Sequence, residues 1–409
     1  MYHNPDDPRD HRRFGRERDL FRLDPSAPGG VFWRPKGWAM FERLRSVARA
    51  ANILAGYQEV QSPDVLDRSL WERSGHWEAY GPQMMPLKAE GRDLALKPMN
   101  CPGHALLYNF GPQHEGALPV RFAEFGRVHR MEPSGALHGL LRLRSFTQDD
   151  GHAFCTPSQV AAEVARLDDV AHRLYAALGF SAPEISVSLR PEARIGSDDA
   201  WERAEAALAE ALTSAGRSFR MLPGEGAFYG PKIEYALRDG RGRSWQCGTI
   251  QLDFHLPERF GCRWFPSDGG SPQPCVLIHR AFLGSLERFL AVFLERDVPL
   301  IPAWLAPLGV AVLPVAPRHE AYARAVAQEA QAAGLDVVVA PSEGALGGRV
   351  QDAQVLDPAF VWVVGDKEEA ARSVAVRDLS KGEAKPVTVE LSVALDAAVA
   401  ARRLPLAPH

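Results

Sequence analysis

From Leu94 to Asp150 the chain alternates short apolar runs with glycine and proline turns, the pattern of strands joined by tight connections. Phe122–Arg130 reads as a strand, Met131-Glu132-Pro133-Ser134-Gly135 as a loop, and Leu141–Phe146 as the returning strand. Helical periodicity surrounds this tract: Trp38–Ala55 stopped by Gly56, Pro157–Leu178 capped by Thr156 or Ser158, and Ala200–Ala211. Further strands are expected at Tyr57–Val60, Phe228–Leu237, Trp245–Phe254 and Cys275–Ile278, with Pro63 suiting a strand edge or turn. Arg280–Val298 reads as a long helix that begins near Gly284-Ser285. Helices scattered among antiparallel strands imply an α+β architecture, an antiparallel sheet flanked by helices.

The 409 residues exceed what one core usually holds, roughly 250–300 residues, so two domains are expected. Near Pro302–Pro307 the pattern changes to strand and helix in alternation: Gly309–Val315, Glu320–Ala333, Leu335–Val339, Ala359–Val364, Ser373–Val376 and a helix at Val389–Ala401. That implies a small α/β unit with a partly parallel sheet. The expected boundaries are an N-terminal arm over residues 1–30, a main domain over 31–303 and the small domain over 308–409. The arm, rich in arginine and aspartate, reads as a surface extension or short helix.

No run of about 18 apolar residues is present, which argues against a membrane span. The first residues, Met1-Tyr2-His3-Asn4-Pro5, lack the basic-then-apolar order of a secretory signal, so a cytoplasmic location is expected. Five scattered cysteines without a CxxC pair make a poor disulfide framework and fit a reducing compartment. The formal net charge of -4 neither supports nor excludes a nucleic-acid partner, because a near-neutral sum can hide a positive face.

Arg130 and Glu132 follow a strand end two residues apart, and Arg142 and Arg144 share a face by the same period, so cations and a carboxylate could clamp a phosphate and a base or amine. Taken alone, these residues equally describe a solvated, salt-bridged hairpin. Gly284-Ser285 opening a helix allows close approach of a ligand, with Arg288 in the first turns, although most such helix starts bind nothing. Cys101, His152 and His279 form a chemically sound zinc set that leaves one position open, but their spacing cannot establish it. The loop Gly224–Lys232 presents Tyr229 and Lys232, while Gln246 and Gln251 suit a pocket wall or a wet sheet edge.

Five tracts then occur in one order: Met99–His104, His129–Gly135, Phe146–Asp150, Glu225–Lys232 and His279–Arg288. That order closely resembles the threonyl-tRNA synthetases, a class II aminoacyl-tRNA synthetase family, from about residue 11 to 307, and more loosely their anticodon-binding domain beyond 308. The resemblance implies a threonine–tRNA ligase that activates L-threonine with ATP and transfers it to the 3′ end of tRNA(Thr). It implies one Zn2+ per subunit on Cys101, His152 and His279, whose open positions take the amino and hydroxyl groups of threonine, and Mg2+ with ATP. Arg130, Glu132, Arg142 and Arg288 correspond to ATP-binding residues, with Arg130 and Arg288 catalytic; Gln148, Asp150, Tyr229, Lys232, Gln246 and Gln251 correspond to amino-acid-binding residues. Pro63 matches the first class motif, whose helix and strand usually form a homodimer interface.

Family members commonly carry an N-terminal domain that hydrolyses mischarged serine; here the match begins near residue 11, so the chain is expected to lack that editing, and a separate trans-editing protein is a compatible partner. Where the family usually has a basic Arg-Asn-Glu-Lys stretch, this chain has Ala340–Arg349 with glycines in place of the basic run. Residues 309–409 hold 10 Lys or Arg against 13 Asp or Glu, a net of -3, a poor footprint for phosphate contacts. Two alternatives therefore stand beside the ligase: a threonine-adenylating paralogue with a non-tRNA acceptor, and a non-catalytic regulatory RNA-binding protein.

Overall fold

The computed structural model describes residues 7–296, 300–382 and 385–406. Its main sheet has eight strands: β1 (Gln58–Glu59), β2 (Val120–His129), β3 (Ser145–Cys155), β4 (Glu184–Ser188), β5 (Arg220–Leu222), β6 (Lys232–Arg238), β7 (Ser244–Asp253) and β8 (Val276–Ser285). They lie in the order β5-β4-β6-β7-β8-β3-β2-β1. Every pair from β4 to β2 is antiparallel; only the two edge strands, β5 and β1, join in parallel.

Strand alternation divides this sheet into two chemically different faces. Ile233, Tyr235, Ile250, Leu252, Ile278, Ala153 and Cys155 belong to one continuous core. Their strand neighbours Lys232, Gln251, His279, Asp150 and His152 line a cleft on the other face. The core face is covered by α1 (His11–Glu17), α2 (Pro35–Leu54), α4 (Val160–Ala177), α5 (Asp198–Ser214) and α6 (Leu286–Leu294), while α3 (Cys101–Tyr108) packs elsewhere. Helix α2 starts with Pro35 in its first turn and buries Met40, Phe41, Leu44, Val47, Ala48 and Ala51, an i, i+3, i+4 stripe. Burial of each of the larger side chains of that stripe, Met40, Phe41, Leu44 and Val47, contributes about 1.5–3 kcal/mol.

The small domain has a sheet of β9 (Leu308–Pro314), β10 (Val337–Val339), β11 (Pro358–Val364), β12 (Ser373–Asp378) and β13 (Val387–Glu390), ordered β10-β9-β11-β12-β13. Its β9 pairs are parallel and the rest antiparallel, in keeping with the partly parallel expectation. Helices α7 (Glu320–Ala332), α8 (Leu346–Val355) and α9 (Leu391–Arg402) pack on it. Among the described residues no helix is long and apolar enough to cross a membrane.

Four local expectations need correction. Leu141–Arg144 are not on a strand: residues 138–144 form a turn, and the returning strand begins at Ser145, so Arg142 and Arg144 owe nothing to strand period. Arg280–Ser285 continue β8 instead of starting a helix; α6 begins at Leu286, and Val298 lies outside the described residues. Cys101–Tyr108, in the tract of strands and turns, is helical, because Pro102 suits a first helical turn. The arm carries α1, in keeping with a short helix, but it is not a mere surface extension, since His11 and Gly15 are buried.

Candidate functional site

Cross-strand register assembles the site. Lys232 on β6 pairs with Gln251 on β7, Gln251 with His279 on β8, and His279 with His152 on β3, a continuous row across four strands. The two-residue period along β3 puts Asp150 and Gln148 on the same face as His152. Cys101, at the start of α3, completes the convergence: one ligand atom from each of Cys101, His152 and His279 lies within 4.8 Å of the others, and all three residues are buried.

The surrounding hydrogen bonds fix how these rings present themselves. His152 Nδ1 lies 2.8 Å from His104 Nδ1, and His104 Nε2 lies 3.0 Å from Glu124 Oε2. Glu124 is a carboxylate, held to about 2 because hydrogen bonds from His104 and Lys97 outweigh its burial. With His104 donating through Nε2 to Glu124, its Nδ1 is the acceptor for the N–H of His152 Nδ1. On the other side His279 Nε2 donates to Asp253 Oδ2 at 3.0 Å. Both rings are thus left with a bare nitrogen pointing inward, His152 Nε2 and His279 Nδ1, only 2.9 Å apart. Two lone pairs at that separation repel unless a cation or a proton lies between them. A thiol beside them supplies the third donor of a metal site whose ligands carry outer hydrogen-bond partners. Burial, then His104 and His279, holds His152 well below the usual imidazole range, so it is neutral as a metal ligand must be. Burial also pushes the Cys101 thiol well above its ordinary value, a proton that metal coordination would displace.

The rest of the expected residues line the same cleft, about 290 Å³ in volume: Arg130, Glu132, Arg142, Gln148, Asp150, Tyr229, Lys232, Gln246, Gln251 and Arg288. Asp150 accepts from Asn100 Nδ2 at 3.0 Å, and burial raises its pKa. Tyr229 donates to Gln251 Oε1 at 3.1 Å, while Gln251 Nε2 donates to the Gly230 carbonyl at 3.0 Å. Gln251 is buried as expected of a bonded amide, whereas Gln246 is exposed on the rim, bonded to Thr249. Lys232 Nζ is paired with Glu234 at 2.5 Å.

At the other end, three guanidinium groups gather without meeting carboxylates enough to neutralise them all. Arg130 donates to the Pro98 carbonyl at 3.2 Å, Arg288 to the Leu141 carbonyl at 3.0 Å, and Arg142 pairs with Glu132 at 2.9 Å. Burial lowers the pKa of Arg288, and the nearby Arg130 and Arg142 add to that. Such a cluster suits a polyanion. Gly284 makes the approach to α6 possible: at φ +68 a Cβ would stand 2.5 Å from the Cys247 carbonyl oxygen. Ser285 then caps α6, its Oγ accepting the Arg288 N–H at 3.1 Å.

Sequence reasoning assigned no role to His104, Glu124, Lys97, Asp253 or His76, although His76 Nε2 lies 3.8 Å from Cys101 Sγ. Two had legible signals: His104 stands three residues after Cys101 on a helix, and Asp253 two after Gln251 on a strand. Glu124 and Lys97 had none.

Residues 85–297 match the family model for the class II tRNA synthetase core domain (G, H, P, S and T), and residues 309–399 match that for an anticodon binding domain. Threonine–tRNA ligase of Delftia acidovorans is 47% identical over 373 residues, which is 90% of this chain and 58% of that protein. The Thiobacillus denitrificans threonine–tRNA ligase is 48% identical over 369 residues, with 90% and 58% covered. The chain thus spans 58% of the length of these curated relatives. The crystal structure of the RNA binding domain of threonyl-tRNA synthetase from Cryptosporidium parvum superposes with a TM-score of 0.91 at 36% identity, covering 96% of this chain and 98% of that one. A putative threonyl-tRNA synthetase from Aeropyrum pernix gives a TM-score of 0.80 at 30% identity, with 98% of each chain covered. Since the synthetase core model spans more than half of the sequence and a threonyl-tRNA synthetase fold follows nearly all of the backbone, the chain belongs to the threonyl-tRNA synthetase family of class II tRNA synthetases.

Proposed function

We propose that this chain activates L-threonine with ATP and transfers it to the 3′ end of tRNA(Thr). The observation that carries the reading is the convergence of Cys101, His152 and His279 in one cleft with Arg130, Arg142 and Arg288. A Zn2+ ion, one per subunit, would be held by the Cys101 thiolate, His152 Nε2 and His279 Nδ1, and supplies open positions for the amino and hydroxyl groups of threonine. Asp150, Gln148, Tyr229, Gln246 and Gln251 surround the amino acid, with Lys232 toward its carboxylate or the phosphates. Arg130, Arg142 and Arg288, together with Mg2+ carried by ATP, hold the phosphates, and Glu132 lies toward the adenine side. The threonine carboxylate oxygen attacks the α-phosphorus in line and pyrophosphate leaves; Arg130 and Arg288 stabilise the charge that develops on phosphorus. The terminal ribose of tRNA then attacks the adenylate carbonyl and releases AMP.

The exposed apolar side chains Trp38, Ile53 and Leu54 on α2 support a homodimer through this helix, which sedimentation of the purified chain tests. A cytoplasmic location fits the five free cysteines. One observation favours a second reading, transfer to a non-tRNA acceptor: the net charge of -3 over residues 309–409 is a poor match for a polyanion. Charging of tRNA transcript against candidate carrier proteins separates the two.

The deciding experiment is amino-acid-dependent ATP–pyrophosphate exchange with threonine, valine and serine, before and after zinc removal. Threonine activity that survives complete zinc removal overturns the proposed site. Valine lacks the hydroxyl and is expected to fall below threonine by about 10⁴-fold or more, whereas serine lacks only a methyl and falls by about 10–200-fold. The serine arm thus measures how much editing must be done outside this cleft, by a separate protein in trans or otherwise.

A further inference from the structure

A second convergence of titratable side chains joins Asp10, His11 and Glu295, all buried. Its hydrogen bonds make it a clip instead of a metal site. The Leu140 N–H donates to His11 Nε2 at 2.9 Å, so that lone pair is used, and Nδ1 carries the proton it donates to Glu295 Oε1 at 2.7 Å. The backbone N–H of His11 donates to the same carboxylate oxygen at 3.1 Å. Asp10 is taken by Arg12 at 2.8 Å, and Glu295 is paired on its other oxygen with Arg243.

Each end of this clip leads to the guanidinium cluster. Glu295 directly follows α6, the helix that carries Arg288. Leu140 precedes Leu141, whose carbonyl receives Arg288 Nε at 3.0 Å, and Arg142, which pairs with Glu132. The turn fits tightly on the imidazole: a Cβ on Gly139, at φ +52, would stand 2.1 Å from His11 Nε2. Among the described residues the Leu140 N–H has no acceptor besides His11, while the rest of the turn is held by its His138–Arg142 bridge, by Arg288 on the Leu141 carbonyl and by Arg142 on Glu132.

We propose that His11 is a positioning residue for nucleotide: by accepting the Leu140 N–H while anchored to Glu295, it sets the 138–142 turn against Arg288 so that Arg142 and Arg288 face the same phosphates. This rests on the reading of the cleft as an ATP site. Leu140 and Glu295 are each near one of the arginines in sequence and His11, remote from both, joins them, so the coupling is a product of the fold.

The test is the affinity of the full chain for Mg·ATP alone and for threonine alone, by titration calorimetry, in wild type, His11→Asn and His11→Gln. Asparagine keeps a donor near the Nδ1 position but offers Leu140 no acceptor; glutamine returns an acceptor near the Nε2 position. Loss of one buried hydrogen bond to the turn is expected to weaken ATP binding about tenfold in His11→Asn, with threonine binding unchanged and partial recovery in His11→Gln. Gly139→Ala approaches the same contact from the turn and decides the question if His11→Asn does not fold; it too is expected to weaken ATP selectively. ATP affinity equal to wild type in these variants, or equal losses for ATP and threonine, overturns the proposal. A wild type that binds ATP but performs no threonine-dependent exchange sinks the enzymatic reading while the ATP comparison still decides the role of His11; one that binds no ATP sinks both.

Discussion

Replacing Glu124 by glutamine tests whether the outer hydrogen bonds set the tautomers of the inner histidines. Glu124 is fully buried and accepts from Lys97 Nζ at 2.7 Å, Ser62 Oγ at 2.8 Å and His104 Nε2 at 3.0 Å. Glutamine keeps the shape but offers one oxygen and an NH2 where two oxygens stood. That NH2 must face either the Lys97 ammonium or the His104 N–H, and both are donors. If His104 yields, its proton moves to Nδ1, where it meets the His152 Nδ1 proton; His152 must then carry its proton on Nε2, and the lone pair offered to a metal is gone. The stability cost follows from the shift of Glu124 from 4.5 to about 2, which is worth roughly 3 kcal/mol at neutral pH. Breaking a buried pair generally costs about 3–5 kcal/mol, a consistent figure. The sign is that of a depressed carboxylate: the contribution is whole above 4.5 and disappears as pH falls toward 2, so wild type and variant converge in acid. Urea unfolding at pH 7 is expected to show a midpoint lower by roughly 1 M. Zinc affinity, read by competition with a coloured chelator, is expected to fall by about 10–100-fold. A variant with the wild-type urea midpoint and zinc affinity refutes the tautomer argument.

Two further perturbations address the sheet behind the cleft. Asp149 and Arg280, both fully buried, pair at 2.8 Å, and Asp149 also accepts the Phe282 and Leu283 N–H groups at 3.0 Å; Asp149→Ala is expected to cost about 3–5 kcal/mol in chemical denaturation, and a cost under about 1 kcal/mol contradicts the pairing. Glu287 is buried with a pKa raised to about 7 by that burial, so its contribution is most favourable below 4.5 and is lost as pH rises through 7; Glu287→Gln is expected to remove up to roughly 3 kcal/mol of that decline, and parallel thermal-midpoint profiles for the two proteins between pH 4.5 and 8 rule it out.

Ligand chemistry and the resemblance of the quoted tracts, not local periodicity, made part of this site readable. Gln148, Asp150 and His152 share one face of β3, an alternation the structure supplied, while the quoted tracts carried the family resemblance. What no local pattern contains is register. Lys232, Gln251, His279 and His152 are separated by 19, 28 and 127 residues, and only the pairing of β6, β7, β8 and β3 aligns them. Leu141–Arg144 were misread as strand because their alternation of leucine and arginine mimics a two-residue period; they belong to the 138–144 turn, which is tied by Leu140 on His11 and Leu141 on Arg288, both distant partners. His11 itself sat in a charged segment that composition marked as surface, and the cluster of Glu295 and Leu140 that buries it is invisible until the chain is folded.

The order of chemistry along β8 and α6 ties the two ends of the cleft together. His279 lies on β8, opposite His152, and Arg288 lies in the first turn of α6, nine residues later without an intervening loop. Between them the pairing with β3 slips, from Arg280 opposite Gly151 to Gly284 opposite Asp149, so the strand gains length relative to its partner. That bulge redirects the chain and brings Ser285 opposite Gln148, with Arg288 above it. The metal-donor end and the arginine end are therefore fixed to each other by a strand, a bulge and a capped helix start, elements with little freedom. Under the proposed reaction a carboxylate must align with a phosphorus atom to within fractions of an ångström, and a rigid strand-to-helix unit would supply that alignment before either substrate arrives. The turn carrying Arg142 lies outside that unit, and under the proposal for His11 the contact from His11 to Leu140 would set its place relative to Arg288.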